Sequence, residues 1–459
     1  MDESSVDRRA LLAIAAGGLA GLAMPAPAWA VGDRRPGSVR MPALTPADRQ
    51  VMTKLSVRRA LADLRVLSEE IGPRVGGTAA ERRAADHLAG VLDGLGYDTM
   101  LQPFPAMDKD LGTLDAPGGL PGDLGWQVGA SPFGVLGTTV SAGVVDGGEG
   151  GAGEYPEDVT GKIVIIDYPF NDDPAELAGR AVARGAAAIV FGHFDHFDHS
   201  QAPAFGPWLG ETVPIPVVGA GQAQKYRLRE LLAAGRLPEL RVTTTAERNL
   251  TSHNVVAELR HGDGTGPIVM VCAHYDTVVG SPGANDDGSG TVLTLEIARA
   301  LRRLPVNATL RFGLWGAEEE GLVGSAHYVA QLPQAERDRF VAVFQNDMVA
   351  TSWDEATRYW RLSVTGEPNR ATDEVAAAAG RLGYAPHLSP VTERGMSDHQ
   401  SFHDAGIAAA NFSWRSEEGP WKLEPPYHTP QDTIAHNVSL DRLQVSMELI
   451  AAATVGAAR

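Results

Sequence analysis

The chain has 459 residues, 44 % of them hydrophobic, enough for roughly two or three domains and a large core. Its 39 Lys and Arg stand against 57 Asp and Glu, a formal charge of -18 that argues against nucleic acid or an anionic membrane as the main partner. Such a balance suits a soluble protein in which clustered carboxylates hold metal ions.

The N-terminus reads as a targeting segment. Arg8 and Arg9 precede a stretch rich in Ala, Gly and Leu that ends APAWA at Ala30, a pattern that resembles a twin-arginine export signal over residues 1–30. The mature chain is then expected to begin near Val31 and to be exported, whether secreted, periplasmic or at the cell surface. No cysteine lies near the cut, so a lipoprotein is not expected, and Gly, Pro and Ala dilute the run too far for a firm membrane span. No stable membrane insertion is expected after the signal is removed.

From about Ser56 to Tyr97 apolar residues recur at helical spacing, broken by the glycine-bearing turn PRVGGT, Pro73 to Thr78. The Gly- and Pro-rich passage Gly112 to Gly125 reads as a linker. From Trp126 to Glu247 short strands and helices alternate without any convergent set of catalytic residue types. The tract HFDHFDH, His193 to His199, fits no standard metal spacing and reads as a surface loop. From Ser252 onward strands alternate with helices again, which implies an α/β fold with a mainly parallel central sheet covered on both faces. The single cysteine, Cys272, sits in the apolar run IVMVCAH and reads as a buried strand residue.

Four strand ends in this last segment carry polar residues: His274 and Asp276; Asp286 and Asp287 just ahead of a helix; Glu318 and Glu319; and Asp347. A fifth position, PPYHTPQDT, puts Tyr427 and His428 in a proline-rich loop. Each has a bland alternative. A strand-end His is commonly a hydrogen-bonded core residue, either aspartate can cap the following helix, and three glutamates suit the first turn of one. Ligand sites in open α/β sheets gather at the carboxyl ends of strands, however, so residues far apart in sequence can converge there. Two His and three carboxylates suit zinc or a similar divalent ion. Five ligands exceed the usual complement of one catalytic zinc, and a carboxylate bridging ions about 3.5–4 Å apart accounts for the surplus.

His274-x-Asp276, Asn285-Asp286-Asp287-Gly288, Ala317-Glu318-Glu319-Glu320-Gly321, Asn346-Asp347-Met348 and Tyr427-His428-Thr429 together resemble the successive motifs of the M28 family of zinc metallopeptidases. The match runs from about Asn254 to Ile434. IGPRVGGTAAERRAADHL is similar to the family's N-terminal entry, and DVTGKIVIID, ARGAAAIVF and IPVVGAG to its protease-associated (PA) insertion. The resemblance implies a peptidase domain built from residues 31–125 and 248–459, interrupted by a mostly β PA-like domain over 126–247. It implies two zinc ions: Asp286 bridging, His274 and Asp347 completing one site, Glu319 and His428 the other. Glu318 would be the general base, Tyr427 would donate to the oxyanion, and Asp276 would orient His274. Glu320 is left as the ordinary acidic residue of a helix start, and Asp398 and His399 as supports of the site or mere packing. A cis peptide between Asp286 and Asp287 is also implied. The substrates would be peptides, cut at the N-terminal residue. A glutaminyl-cyclase-like enzyme with one zinc, a carboxypeptidase, and a metal-free binding or receptor-like module are the rivals.

Overall fold

A computed structural model describes residues 43–122, 124–195 and 201–459. The expected export signal, with Arg8 and Arg9, lies outside the described residues, as do His196 and His199 of the histidine tract. Among the described residues no helix is long and apolar enough to cross a membrane.

The described chain is α/β, with two eight-stranded sheets. The first runs in the order Asp98–Pro105, Thr251–Leu259, Thr309–Trp315, Ile268–His274, Phe340–Asn346, Ala409–Arg415, Arg358–Ser363, Leu388–Glu393. Its four middle strands are parallel to one another, and the antiparallel pairings lie toward the edges. All seven residues of each of Ile268–His274 and Thr309–Trp315 are buried, which explains why these strands read as continuous apolar runs rather than alternating ones. Cys272 is buried among them. The helices Gly288–Leu301 and Leu440–Ala457 pack against each other and are buried along almost their whole length. The opening helical segment becomes helices Val57–Arg65 and Ala79–Gly94, the second capped by Thr78, whose hydroxyl accepts from Glu81 N–H at 3.4 Å.

The second sheet has the order Thr139–Ala142, Leu240–Glu247, Lys109–Asp115, Gln127–Ala130, Val217–Ala220, Ala188–Gly192, Ile163–Asp167, Val144–Asp146. Strand alternation sends Ile163 and Ile165 into one apolar cluster and Val164 and Ile166 into another, so this sheet carries cores of its own. One expectation is overturned. The passage read as a linker begins inside the strand Lys109–Asp115, which pairs with both Leu240–Glu247 and Gln127–Ala130. Gly112 suggested a loop, but it serves close packing: a Cβ there would lie 2.8 Å from Val218 Cγ1 and 3.0 Å from Val128 Cγ2.

Candidate functional site

The four parallel middle strands all point their carboxyl ends at one cavity of about 520 Å³. It is lined by His274, Asp286, Glu318, Glu319, Asp347, Tyr427 and His428, with Arg394 and Arg415 on its wall. Every residue expected to bind metal or do chemistry therefore lines this one space, and Asp276 stands directly behind it.

Asp286 is the hinge of the arrangement. Its Oδ1 lies 3.2 Å from His274 Nε2 and its Oδ2 lies 3.1 Å from His428 Nε2. Asp347 Oδ1 is 3.9 Å from His274 Nε2, and Glu319 Oε2 is 3.1 Å from His428 Nε2. One carboxylate thus faces both imidazoles, and each imidazole has a further carboxylate of its own. Although Asp287, His274 and Asp347 also cluster within metal-binding reach, Asp287 is already committed. Its carboxylate accepts from the backbone N–H groups of His274 at 3.2 Å, Gly290 at 2.9 Å and Met348 at 3.2 Å. It caps the helix Gly288–Leu301, so of the two adjacent aspartates one faces the cavity and the other faces the fold. The peptide between them is cis, as the motif implied.

Three features hold this loop. Asp432 accepts the backbone N–H groups of Asn285 and Asp286, both at 2.9 Å. Glu424 accepts from Asn285 Nδ2 at 2.7 Å. Arg74, fully buried, donates to the carbonyls of Tyr275, Pro282 and Gly283 at 2.7, 2.7 and 3.0 Å, and also to Leu67 and Gly72. Gly283, at φ +58°, must lack a side chain: a Cβ would fall 2.2 Å from Thr277 Cγ2. None of the three supports was legible in the sequence. Asp432 stood inside the quoted loop PPYHTPQDT and Arg74 inside PRVGGT, yet nothing in either motif says which backbone it will meet.

Asp276 does more than was expected of it. One oxygen lies 3.4 Å from His274 Nδ1, and the carboxylate also accepts Glu318 N–H at 3.0 Å and Glu319 N–H at 3.2 Å. It therefore fastens two strand ends together. The expectation for Glu320 fails. That side chain is 6 % exposed, pairs with Lys109 Nζ at 2.5 Å and accepts Met107 N–H at 2.8 Å, so it joins the glutamate turn to the entry of the second sheet. The helix that follows starts only at Val323, too late for Glu320 to belong to its first turn. Asp398 and His399 are buried but do not line the cavity; His399 Nε2 meets the Arg394 carbonyl at 2.9 Å, and Asp398 accepts from Gln345 at 3.1 Å.

The electrostatics call for positive charge. Burial alone would strip protons from His428, yet Glu319 and Asp286 outweigh it and raise its pKa to about 10. Burial likewise opposes the charged form of His274, and Glu318, Asp276 and Asp286 reverse the effect. Glu318 is raised well above the usual carboxyl range, first by burial and then by Asp398, Glu319 and Asp347, with His274 opposing. The Tyr427 phenol is also raised, by burial and by the surrounding carboxylates, so it keeps its proton; its ring stacks on His428 with centroids 3.7 Å apart. Glu319 Oε1 and His428 Nε2 are buried without a hydrogen bond. Two imidazole nitrogens and three carboxylates, with such orphaned atoms at their centre, fit divalent zinc.

A model of peptidase family M28 matches residues 254–454. Aminopeptidase YwaD of Bacillus subtilis is 36 % identical over 442 residues, covering 92 % of this chain and 91 % of the relative. A probable lipoprotein aminopeptidase, LpqL of Mycobacterium tuberculosis, is 28 % identical over 80 % of this chain and 77 % of its own. Among solved structures, that of BSAP, a zinc aminopeptidase from Bacillus subtilis, matches with a TM-score of 0.63 and 35 % identity, covering 88 % of this chain and 95 % of that one.

Proposed function

The chain belongs to peptidase family M28, and on that premise we propose that it is a zinc aminopeptidase that uses two zinc ions to release N-terminal residues from peptides. The observation that carries this reading is Asp286, whose two oxygens face His274 at 3.2 Å and His428 at 3.1 Å. His274, Asp286 and Asp347 would hold one ion, and Asp286, Glu319 and His428 the other. Zinc bound there supplies Lewis acidity, polarising the scissile carbonyl and making water in the site more acidic.

The chain's own residues do the rest. Glu318 takes the proton from the attacking water and returns it to the departing amine. Its burial beside other carboxylates makes it basic enough for the first task. Asp276 keeps Glu318 in reach by gripping its backbone N–H. Tyr427 donates its phenolic hydrogen to the carbonyl oxygen as negative charge gathers there. Asp347 and Glu318 hold the substrate's ammonium group, which sets the first peptide bond over the reacting water.

We read residues 126–247, with the strand Lys109–Asp115 as their entry, as a PA-like insertion between the two parts of the peptidase domain; a sheet and cores of its own support this. The twin-arginine pattern supports export of the chain. An aminoacyl anilide with a free amine should be cleaved, and its N-acetylated form at least about a hundredfold more slowly. Equal rates on the two substrates would defeat the aminopeptidase reading.

A further inference from the structure

Buried arginines elsewhere in the fold are satisfied. Arg74 donates to five carbonyls, and Arg311 meets Glu258, Glu336 and Tyr328. Of the two on the cavity wall, Arg394 is not, and Arg415 meets only neutral acceptors. Arg394 is 8 % exposed, its Nε is buried with no hydrogen-bond partner among the described residues, and its guanidinium lies over the Trp421 ring, 4.8 Å away. Arg415 is 1 % exposed and ends the strand Ala409–Arg415. It donates to the Pro420 carbonyl at 3.1 Å and Ser413 Oγ at 3.2 Å, and its Nη2 lies 3.8 Å from the Met348 sulfur, one residue past Asp347. Neither arginine forms an ion pair with any carboxylate among the described residues, although both line a space that holds five acidic or imidazole metal ligands.

A guanidinium held out of water with no carboxylate in direct contact is costly. Asp347 and Asp286 act on both arginines only from beyond ion-pair distance, so a touching carboxylate is the contact each has room to gain from a ligand. The fork of an arginine fits a carboxylate with two parallel hydrogen bonds. From this we propose that Arg394 and Arg415 form a carboxylate-binding subsite for the substrate, in the same cavity as the acidic groups that take its amine. The inference rests on the aminopeptidase reading and extends it. Two chemical sources fit: the free C-terminus of a short peptide, or an acidic side chain. An extended dipeptide spans about 7 Å, so a cavity of this size can hold an amine at one end and a carboxylate at the other.

The test needs no turnover. Zinc-loaded full-length Glu318→Gln protein is titrated calorimetrically with leucyl-alanine and its C-terminal amide, and then with glutamyl-alaninamide and glutaminyl-alaninamide. The acid should bind about tenfold or more tightly than its neutral partner in at least one pair, as a charge-assisted bidentate contact implies. A preference confined to the first pair assigns the subsite to the peptide C-terminus, and one confined to the second assigns it to an acidic first residue. Adding Arg394→Gln should bring the ratio to within about twofold of one, while Arg394→Lys, which keeps the charge without the fork, should leave an intermediate ratio. Zinc content checks that each variant is folded. Equal affinities within both pairs overturn the proposal, as does a preference that survives Arg394→Gln in the zinc-loaded protein. If the native chain cleaves no free-amine substrate, the peptidase reading fails instead, and the affinities still decide the subsite.

Discussion

Both sheets place acidic residues at or beyond the carboxyl ends of parallel strands, and the two sets behave differently. In the second sheet Asp146 and Asp167 close their strands, and Arg229 reaches both, at 3.1 and 2.9 Å, while Lys225 Nζ sits 2.9 Å from Asp195 and 3.5 Å from Asp167. The chain supplies its own cations there. In the first sheet Asp286, Glu319 and Asp347 meet only imidazoles, with no Lys or Arg paired to any of them among the described residues. An acidic strand end is therefore no sign of a metal centre in itself. The sign is an acidic strand end whose counter-charge is missing from the chain, because buried carboxylates facing one another must find a cation or take up protons.

The comparison is broken most severely at Asp286. Asp286→Ala should abolish peptide cleavage and release zinc, measured by elemental analysis of the purified protein, since in the proposed two-zinc site both positions would share that carboxylate. An Asp286→Ala protein that still holds two zinc ions per chain would refute the bridging role. Glu318→Gln sharpens the same site: zinc stays, and turnover falls at least about a hundredfold, the usual scale for losing a general base. Glu319→Ala should lose one ion instead, and the opposite pattern would exchange the roles of the two glutamates.

A smaller effect is expected where the two regions are joined. Glu320→Gln leaves the partly buried Lys109 with only the Met107 carbonyl, at a cost of about 1–2 kcal/mol, between the scales of exposed and buried pairs, readable as a lower denaturant midpoint. Restoring the charge balance with Lys109→Met in the same chain should recover much of that loss. The smallest effect belongs to the second sheet. Arg229→Met should cost about 1 kcal/mol or less, because its pairs are partly exposed, and should leave zinc content and cleavage rates as they were. Zinc loss in that variant would show that the two strand ends are not independent.

His274 and Asp347 could be picked out as candidate metal ligands without coordinates because each ends or follows an apolar run, and chain order puts such ends on one edge of an α/β sheet. His428, in a proline-rich loop, stood out through the family resemblance. Residue type alone could not choose between Asp286 and Asp287 as helix cap, and only the resemblance assigned Asp286 to the metals. Two adjacent aspartates are chemically identical, and only the backbone path decides which points at the cavity and which caps the helix. The linker reading failed at Gly112 because a glycine demanded by close packing looks the same as one demanded by a turn.

Glu320, Asp432 and Arg74 share one property: what each does depends on a partner distant in the chain. Lys109 lies 211 residues from Glu320, and Asp432 holds a backbone 146 residues away. Composition, periodicity and residue type by themselves determined the α/β class and the buried strands and pointed to the candidate ligands, whose roles the family resemblance then assigned. Only the tertiary structure decided which carboxylates would go without an in-chain cation and which arginines would go without an anion. Charge pairing acts over a few ångströms in space, and the folding of the chain, not its order, sets those distances.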